Sequence, residues 1–177
     1  MTRALVVFES LFGDAEAIAH AVAEGLSPTI PADVVAAADA PAEVPGDVRL
    51  LVVGGPNHAM SMPRQSTREG AVKQYGAEIA DTSRGLHEWL DAVQIVGQDT
   101  RAAAFDTRSD HPKVLVKMDH ASRTEEKLLR RHGLRLVAPA EHFYVTDTKG
   151  PLVEGEEQRA REWGATLGGR LAPSLPH

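Results

Sequence analysis

The chain has 177 residues and a mass of 19.0 kDa, with 42% hydrophobic residues, enough for one core without disulfide or metal staples. Its 19 Lys and Arg against 25 Asp and Glu leave a formal charge of −6, which argues against nucleic acid or an anionic membrane as the main partner. The absence of cysteine excludes disulfide frameworks, thiolate nucleophiles, zinc–thiolate sites and iron–sulfur clusters together.

Residues 4–8, Ala-Leu-Val-Val-Phe, form a continuous apolar run of the kind seen in a strand buried on both faces. The run is too short for a signal-peptide core, and nothing in the chain approaches the roughly 18 apolar residues of a membrane span. The expectation is therefore a soluble, cytoplasmic protein forming one domain over residues 1–177. After a turn around Gly13, Ile18, Ala19, Val22, Ala23 and Leu26 share a helix face, and Gly25 and Pro28 mark its end. Residues 34–38 are a weaker strand. Residues 48–53 are a strong second buried strand, ending in Gly54-Gly55-Pro56. Residues 57–82 are long for a loop and read as a lid-like insertion with its own helix. Ser66 and Glu69 have capping-box spacing there, and Val72, Tyr75 and Ile79 share a face. Core packing is the expected role of Tyr75; the other is approach to the first turn from a folded-over helix.

Leu86, Trp89, Leu90 and Val93 fall at helical spacing, and residues 102–105 form another short buried strand. Ser122 and Glu125 have capping-box spacing before Leu128 and Leu129, and Gly133 stops that helix. Residues 134–138 are the fifth strand, extended by residues 142–145. A last helix begins near Glu154 and buries Ala160, Trp163, Gly164, Leu167 and Leu171. Five apolar strands alternating with helices imply a doubly wound five-stranded parallel sheet covered on both faces. Ligands of such sheets bind at the carboxyl ends of the strands. The turns after Phe8, Val53 and Phe105 are therefore the informative segments.

The first turn, Glu9-Ser10-Leu11-Phe12-Gly13-Asp14-Ala15-Glu16, runs straight into a helix. Backbone amides, a hydroxyl and a positive helix end make it a ready anion site. It is neither a GxGxxG fingerprint nor a P-loop. Residues 6–14, Val-Val-Phe-Glu-Ser-Leu-Phe-Gly-Asp, resemble the phosphate loop of the flavodoxin family, in a group that reads E-S-M-F-G-N-T there. The resemblance continues in Gly54-Gly55-Pro56-Asn57-His58-Ala59 and in residues 63–68. It extends through residues 85–90, 105–108 and 143–147, so it covers nearly the whole chain. It implies strand order 2-1-3-4-5, with FMN phosphate in the first turn and the isoalloxazine between the second and third. Carried over, Ser10, Leu11, Phe12, Gly13, Asp14 and Ala15 hold phosphate. Pro56, Asn57, His58, Ala59 and Met60, with Asp106, Thr107 and Arg108, hold the ring.

Departures from the family pattern bear on function. Its Asn is Asp14 here, its Thr is Ala15, and Glu16 follows. FMN phosphate carries roughly −1.5 to −2 charges. Losing a hydroxyl bonded to it removes on the order of 1.5–3 kcal/mol, and two carboxylates add repulsion. The alternative role for Asp14 is capping its own helix. Weakened or lost FMN binding is thus an expectation beside FMN binding itself. Arg108, Lys113 and Lys117 bring positive charge near the third turn, which favours a reduced flavin anion and leans toward an NAD(P)H- or quinone-linked reductase over a one-electron shuttle. Three functions follow. The first is an FMN-dependent electron-transfer protein or oxidoreductase whose partner is a redox protein, NAD(P)H or a quinone, with a homodimer over the cofactor as one allowed assembly. The second is a flavodoxin-fold protein that has lost FMN and serves as an interaction module. The third is a metal- or acid/base-dependent hydrolase built on Asp106, Asp110, His111, Asp119 and His120. No HExxH spacing supports the third, and Ser10 lacks a GxSxG elbow.

Overall fold

The computed structural model describes residues 1–57, 62–109 and 121–171, apart from the side chain of residue 122. In chain order the first half holds β1 (Arg3–Phe8), α1 (Asp14–Leu26), β2 (Ala32–Ala36), β3 (Glu43–Val44), β4 (Val48–Pro56) and α2 (Gln65–Tyr75). The second half holds α3 (Leu86–Ala92), β5 (Gln94–Ile95), β6 (Arg101–Ser109), α4 (Ala121–Arg131), β7 (Arg135–Leu136), β8 (Glu141–Val145) and α5 (Glu156–Leu171).

The apolar runs behave as strands covered on both faces. Val6, Leu50, Val52, Ala103 and Phe105 pack under α1 and α5, while Leu5, Val7, Leu51, Val53, Ala102 and Ala104 pack under α3 and α4. The main sheet is parallel, in the order β2-β1-β4-β6-β7, and β8 also pairs with β6. β7 lies against the start of β6 (Arg101, Ala102) and β8 against its end (Phe105 to Ser109). Together they occupy one sheet position, interrupted around Pro139 and Ala140, so the architecture is the doubly wound order 2-1-3-4-5. A second sheet of two residue pairs, β3 with β5, has no counterpart in the apolar pattern.

Two close approaches hold the helical layer. A Cβ at Gly25 of α1 would stand 2.0 Å from the Arg161 carbonyl oxygen of α5, and one at Gly164 would stand 2.3 Å from that of Val22. Only glycine lets these backbones meet. Below them Phe105, Phe143 and Trp163 form an edge-to-face cluster with centroids 6.0–6.3 Å apart. Trp89, on the other face, is buried and donates its indole N–H to the Pro41 carbonyl at 2.8 Å.

Several local expectations change. β4 continues through Gly54, Gly55 and Pro56 instead of ending before them, because β6 pairs with it as far as Thr107. α2 has Arg64 as N-cap, so Ser66 lies inside the helix and makes no capping box; Glu69 instead accepts from the Gln65 amide at 3.2 Å. The buried face of α2 carries Arg68 and Ala71, Val72 and Tyr75 are exposed, and Ile79 lies past the helix end at Gly76. Of the Ser122–Glu125 pair, Glu125 is fully buried in the body of α4, and the side chain of residue 122 lies outside the described residues.

Candidate functional site

The first turn leaves β1 at Phe8 and enters α1 at Asp14. Gly13 is the N-cap, at φ +100°, a left-handed conformation that glycine adopts at little cost. Asp14 therefore stands one position inside the helix and makes no capping bond, which removes the capping role considered for it. The Ser10 hydroxyl accepts the Gly13 N–H at 2.9 Å and keeps its own proton to donate. The amides of Leu11, Phe12, Asp14, Ala15 and Glu16 donate no hydrogen bond among the described residues. At a helix start such amides form an anion cradle.

Two carboxylates crowd this cradle. The Asp14 carboxyl packs against the 147–150 turn so closely that a Cβ on Gly150 would lie 2.4 Å from its Oδ2. Burial pushes the Asp14 carboxyl above its usual range. Glu16 lines a cavity of about 750 Å³ on the β2 flank of the turn, between residues 36–39 and 76–84. Ser10, Leu11, Phe12 and Gly13 line it too, and Asp39, Glu78 and Asp81 face Arg68 and Arg84 across it, so acidic groups outnumber basic ones beside the turn.

In the second turn, Pro56 ends β4 and Asn57 extends the ladder, donating its N–H to the Thr107 carbonyl at 2.8 Å. Both polar atoms of the Asn57 side chain are buried, with no hydrogen-bond partner among the described residues. A buried amide left in that state costs free energy, on the order of 1–3 kcal/mol, that a ligand with matching groups recovers. His58, Ala59 and Met60 lie outside the described residues.

Asp106, Thr107 and Arg108 lie within β6 and are all buried. Alternation turns Asp106 and Arg108 to the α4 side, where Arg108 donates to Asp106 from Nε at 3.0 Å and from Nη2 at 2.5 Å. The imidazole Nδ1 of His142, on the neighbouring β8, lies 3.0 Å from Asp106 Oδ1. Burial works against the Asp106 charge, but the His142 and Arg108 contacts prevail and hold its carboxyl below the usual range. Arg108 thus spends charge on Asp106, which removes its part in the expected positive field around a ring; Lys113 and Lys117 lie outside the described residues. Of the suggested hydrolytic cluster only Asp106 is described, since Asp110, His111, Asp119 and His120 fall in 110–120.

Three further groups at this edge were not read as site residues from sequence. Glu9 is 8% exposed and Arg68 only 1%, and they pair through two contacts of 2.7 and 3.2 Å. Glu9 Oε1 also accepts the Leu86 N–H at 2.9 Å, anchoring the start of α3. Arg68 reaches Glu88 at 2.7 Å and the carbonyls of Pro63 and Thr82, so it ties residues 62–82 to the first turn. Leu11, Ala71 and Ala77 pack together above that tie, and Tyr75 meets the Phe12 ring edge-on at 6.2 Å. Tyr75 therefore reaches the first turn while staying partly exposed, against the expectation of core packing. The third group, Glu125, has neither carboxylate oxygen partnered among the described residues, and burial together with the charge of Asp106 pushes it well above its usual range. Its position was visible in sequence, because Ala121, Glu125 and Leu128 fall at i, i+4 and i+7 on one apolar face.

No family model and no curated relative matches the sequence. Solved structures match it over nearly their full length. A flavodoxin from the domain Archaea superposes with a TM-score of 0.63 at 15% identity, covering 96% of this chain and 99% of its own. A flavodoxin of Streptococcus pneumonia TIGR4 gives 0.63 at 14% identity with the same coverage of 96% and 99%. A WrbA-like flavodoxin from Agrobacterium tumefaciens gives 0.59 at 18% identity, covering 97% and 98%. The fold of this chain is flavodoxin-like. Among the described residues no helix is long and apolar enough to cross a membrane.

Proposed function

We propose that this flavodoxin-fold chain binds FMN at the carboxyl edge of its sheet and works as a redox protein, in electron transfer or as an oxidoreductase. The observation that carries the reading is the first turn: Gly13 in a left-handed conformation, the Ser10 hydroxyl beside it, and unpartnered amides around both. The unpartnered amide of Asn57 supports it, since a flavin ring offers the donors and acceptors that group lacks. In this reading Ser10, Leu11, Phe12, Gly13, Asp14 and Ala15 hold the phosphate. Pro56 and Asn57, with His58, Ala59 and Met60 by resemblance, border the ring together with the edge formed by Asp106, Thr107 and Arg108. Bound flavin supplies the electron and hydride chemistry. The chain binds and orients it. The electron donor or acceptor is NAD(P)H, a quinone or a redox protein, and a homodimer over the cofactor is one assembly consistent with the family.

A second reading is favoured by Asp14 and Glu16, two carboxylates in the turn that must accept a dianion. It is that the fold persists as an interaction module with FMN binding weakened or lost. One experiment separates the two: the visible spectrum of the purified protein, followed by titration with FMN monitored by flavin fluorescence. A flavin band or saturable quenching supports the redox reading. A colourless protein with no quenching at high FMN overturns it in favour of the module.

A further inference from the structure

At the opposite end of the sheet from the three turns, the amino-terminal ends of β4, β6 and β7 carry Arg49, Arg101 and Arg135. Arg101 and Arg135 are direct register partners, so two like charges stand side by side on neighbouring strands. That arrangement is unfavourable unless something neutralises it. Arg49 owes its place to an irregularity between β1 and β4: Arg3 pairs with Val48 and Ala4 with Leu50, which leaves Arg49 as the extra residue. Such bulges re-aim a side chain out of the normal alternation.

The three arginines line one cavity of about 340 Å³, with Gln98, Asp99 and Thr100 completing its polar wall. None of the three forms an ion pair among the described residues, whereas Arg3, Arg68, Arg108, Arg159 and Arg161 each do. The Nε of Arg49 is buried with no hydrogen-bond partner among the described residues. Three guanidinium groups therefore face one carboxylate, Asp99, in a chain whose overall charge is negative.

We propose that this cavity binds the phosphoryl group of a small phosphorylated ligand, at a site independent of the first turn. A carboxylate has two oxygens and is satisfied by one guanidinium fork, while a phosphoryl group has three terminal oxygens and accepts from several forks at once. The cavity offers little apolar surface, so the part of the ligand it holds is polar.

The test is isothermal titration of the full chain with pyrophosphate at low ionic strength, with citrate as the carboxylate comparator. The expected result is a saturable site, distinct from any pyrophosphate bound at the first turn, that weakens as salt rises. Replacing either exposed arginine, Arg101→Gln or Arg135→Gln, should weaken it by about tenfold, the effect of losing one charge-assisted bond. Both variants should melt no lower than the parent, because a like-charge pair has been relieved. Ser10→Ala should leave pyrophosphate affinity unchanged, and Arg101→Gln should leave the FMN titration unchanged. The proposal is overturned by the absence of saturable binding, by binding that Arg101→Gln leaves intact, or by loss of that binding in Ser10→Ala. Tighter binding of citrate than of pyrophosphate would overturn the phosphoryl assignment.

Discussion

Arg68 and Glu9 close on each other as a buried ion pair, Nε to Oε2 at 2.7 Å and Nη2 to Oε1 at 3.2 Å, although 59 residues separate them. The pair joins the first turn to α2. Burial opposes the Arg68 charge, but its bonds to Glu9 and Glu88 prevail and raise its pKa above the ordinary arginine value. Removing one partner of a buried pair leaves the other as an uncompensated charge, at a cost of about 3–5 kcal/mol. Arg68→Ala should lose that much in denaturant unfolding. Glu88→Ala should cost less than Arg68→Ala, about 1 kcal/mol, because Glu88 is partly exposed and Glu9 keeps its guanidinium. Arg68→Lys should not restore the parent, since a single ammonium cannot reproduce the fork that meets Glu9, Glu88 and two carbonyls. Equal losses from Arg68→Ala and Glu88→Ala would contradict this account.

Gly85 stands against the same pair: a Cβ there would lie 1.9 Å from Arg68 Nη2 and 2.5 Å from Glu9 Oε1. Gly85→Ala should destabilise the protein by roughly 1–3 kcal/mol through overpacking. The loss should shrink in the Arg68→Ala background, where the obstructing guanidinium is gone. A double-mutant cycle in urea measures the coupling, and strict additivity would show that the clash is relieved some other way.

Glu125 predicts a pH dependence of stability. Its native pKa is raised by burial and then by Asp106, while in the unfolded chain it returns to about 4.5. Below that value both states hold the proton and no penalty arises. Above it the unfolded state releases a proton that the native state retains, so this contribution to stability declines as pH rises. It declines by about 1.4 kcal/mol per pH unit until the native pKa is reached. Glu125→Gln should remove that slope and make the protein more stable at neutral pH. Chemical unfolding of both proteins at a series of pH values above 4.5 is the check, and parallel curves would refute the prediction.

The strands and most helix faces were legible because apolar runs and 3.6-residue periods report burial directly, whereas the strand order came only from the resemblance to the flavodoxin family. What escaped was polar burial. Arg68 and Glu125 lie on helix faces that a periodicity argument assigns to hydrophobic residues, so α2 was phased on Val72 and Tyr75, and Glu125 was given to a cap. Arg68 does not announce itself, because its partners come from residues 9 and 88; Glu125 stands on an apolar face of its helix, and among the described residues no hydrogen-bond partner marks it out. The short spacing in Asp106-Thr107-Arg108 gave no sign of an internal ion pair. Whether two residues two apart on a strand meet each other or a ligand depends on what covers that face. Arg49 shows the same limit: only the register of β1 against β4 reveals it as an extra residue.

The phosphate turn offers the most direct test of function. Asp14 adds a negative charge at the first helical position, and Ala15 lacks a hydroxyl that the resembling family places there. Asp14→Asn removes the charge, and Ala15→Thr restores a donor to a charged oxygen worth on the order of 1.5–3 kcal/mol. Together they should raise FMN affinity by roughly tenfold to a hundredfold, since about 1.4 kcal/mol is tenfold. Asp14→Asn alone should help most at low ionic strength, because the repulsion it removes is screened by salt. Adding Gly150→Ala is a counter-test: its Cβ would press on the residue 14 side chain from 2.4 Å, and its φ of +89° disfavours alanine. That substitution should lower both melting temperature and FMN affinity. Fluorescence titration of the four proteins at two salt concentrations gives the answer. If Asp14→Asn with Ala15→Thr leaves FMN affinity where it was, the carboxylates of this turn are not what limits phosphate binding.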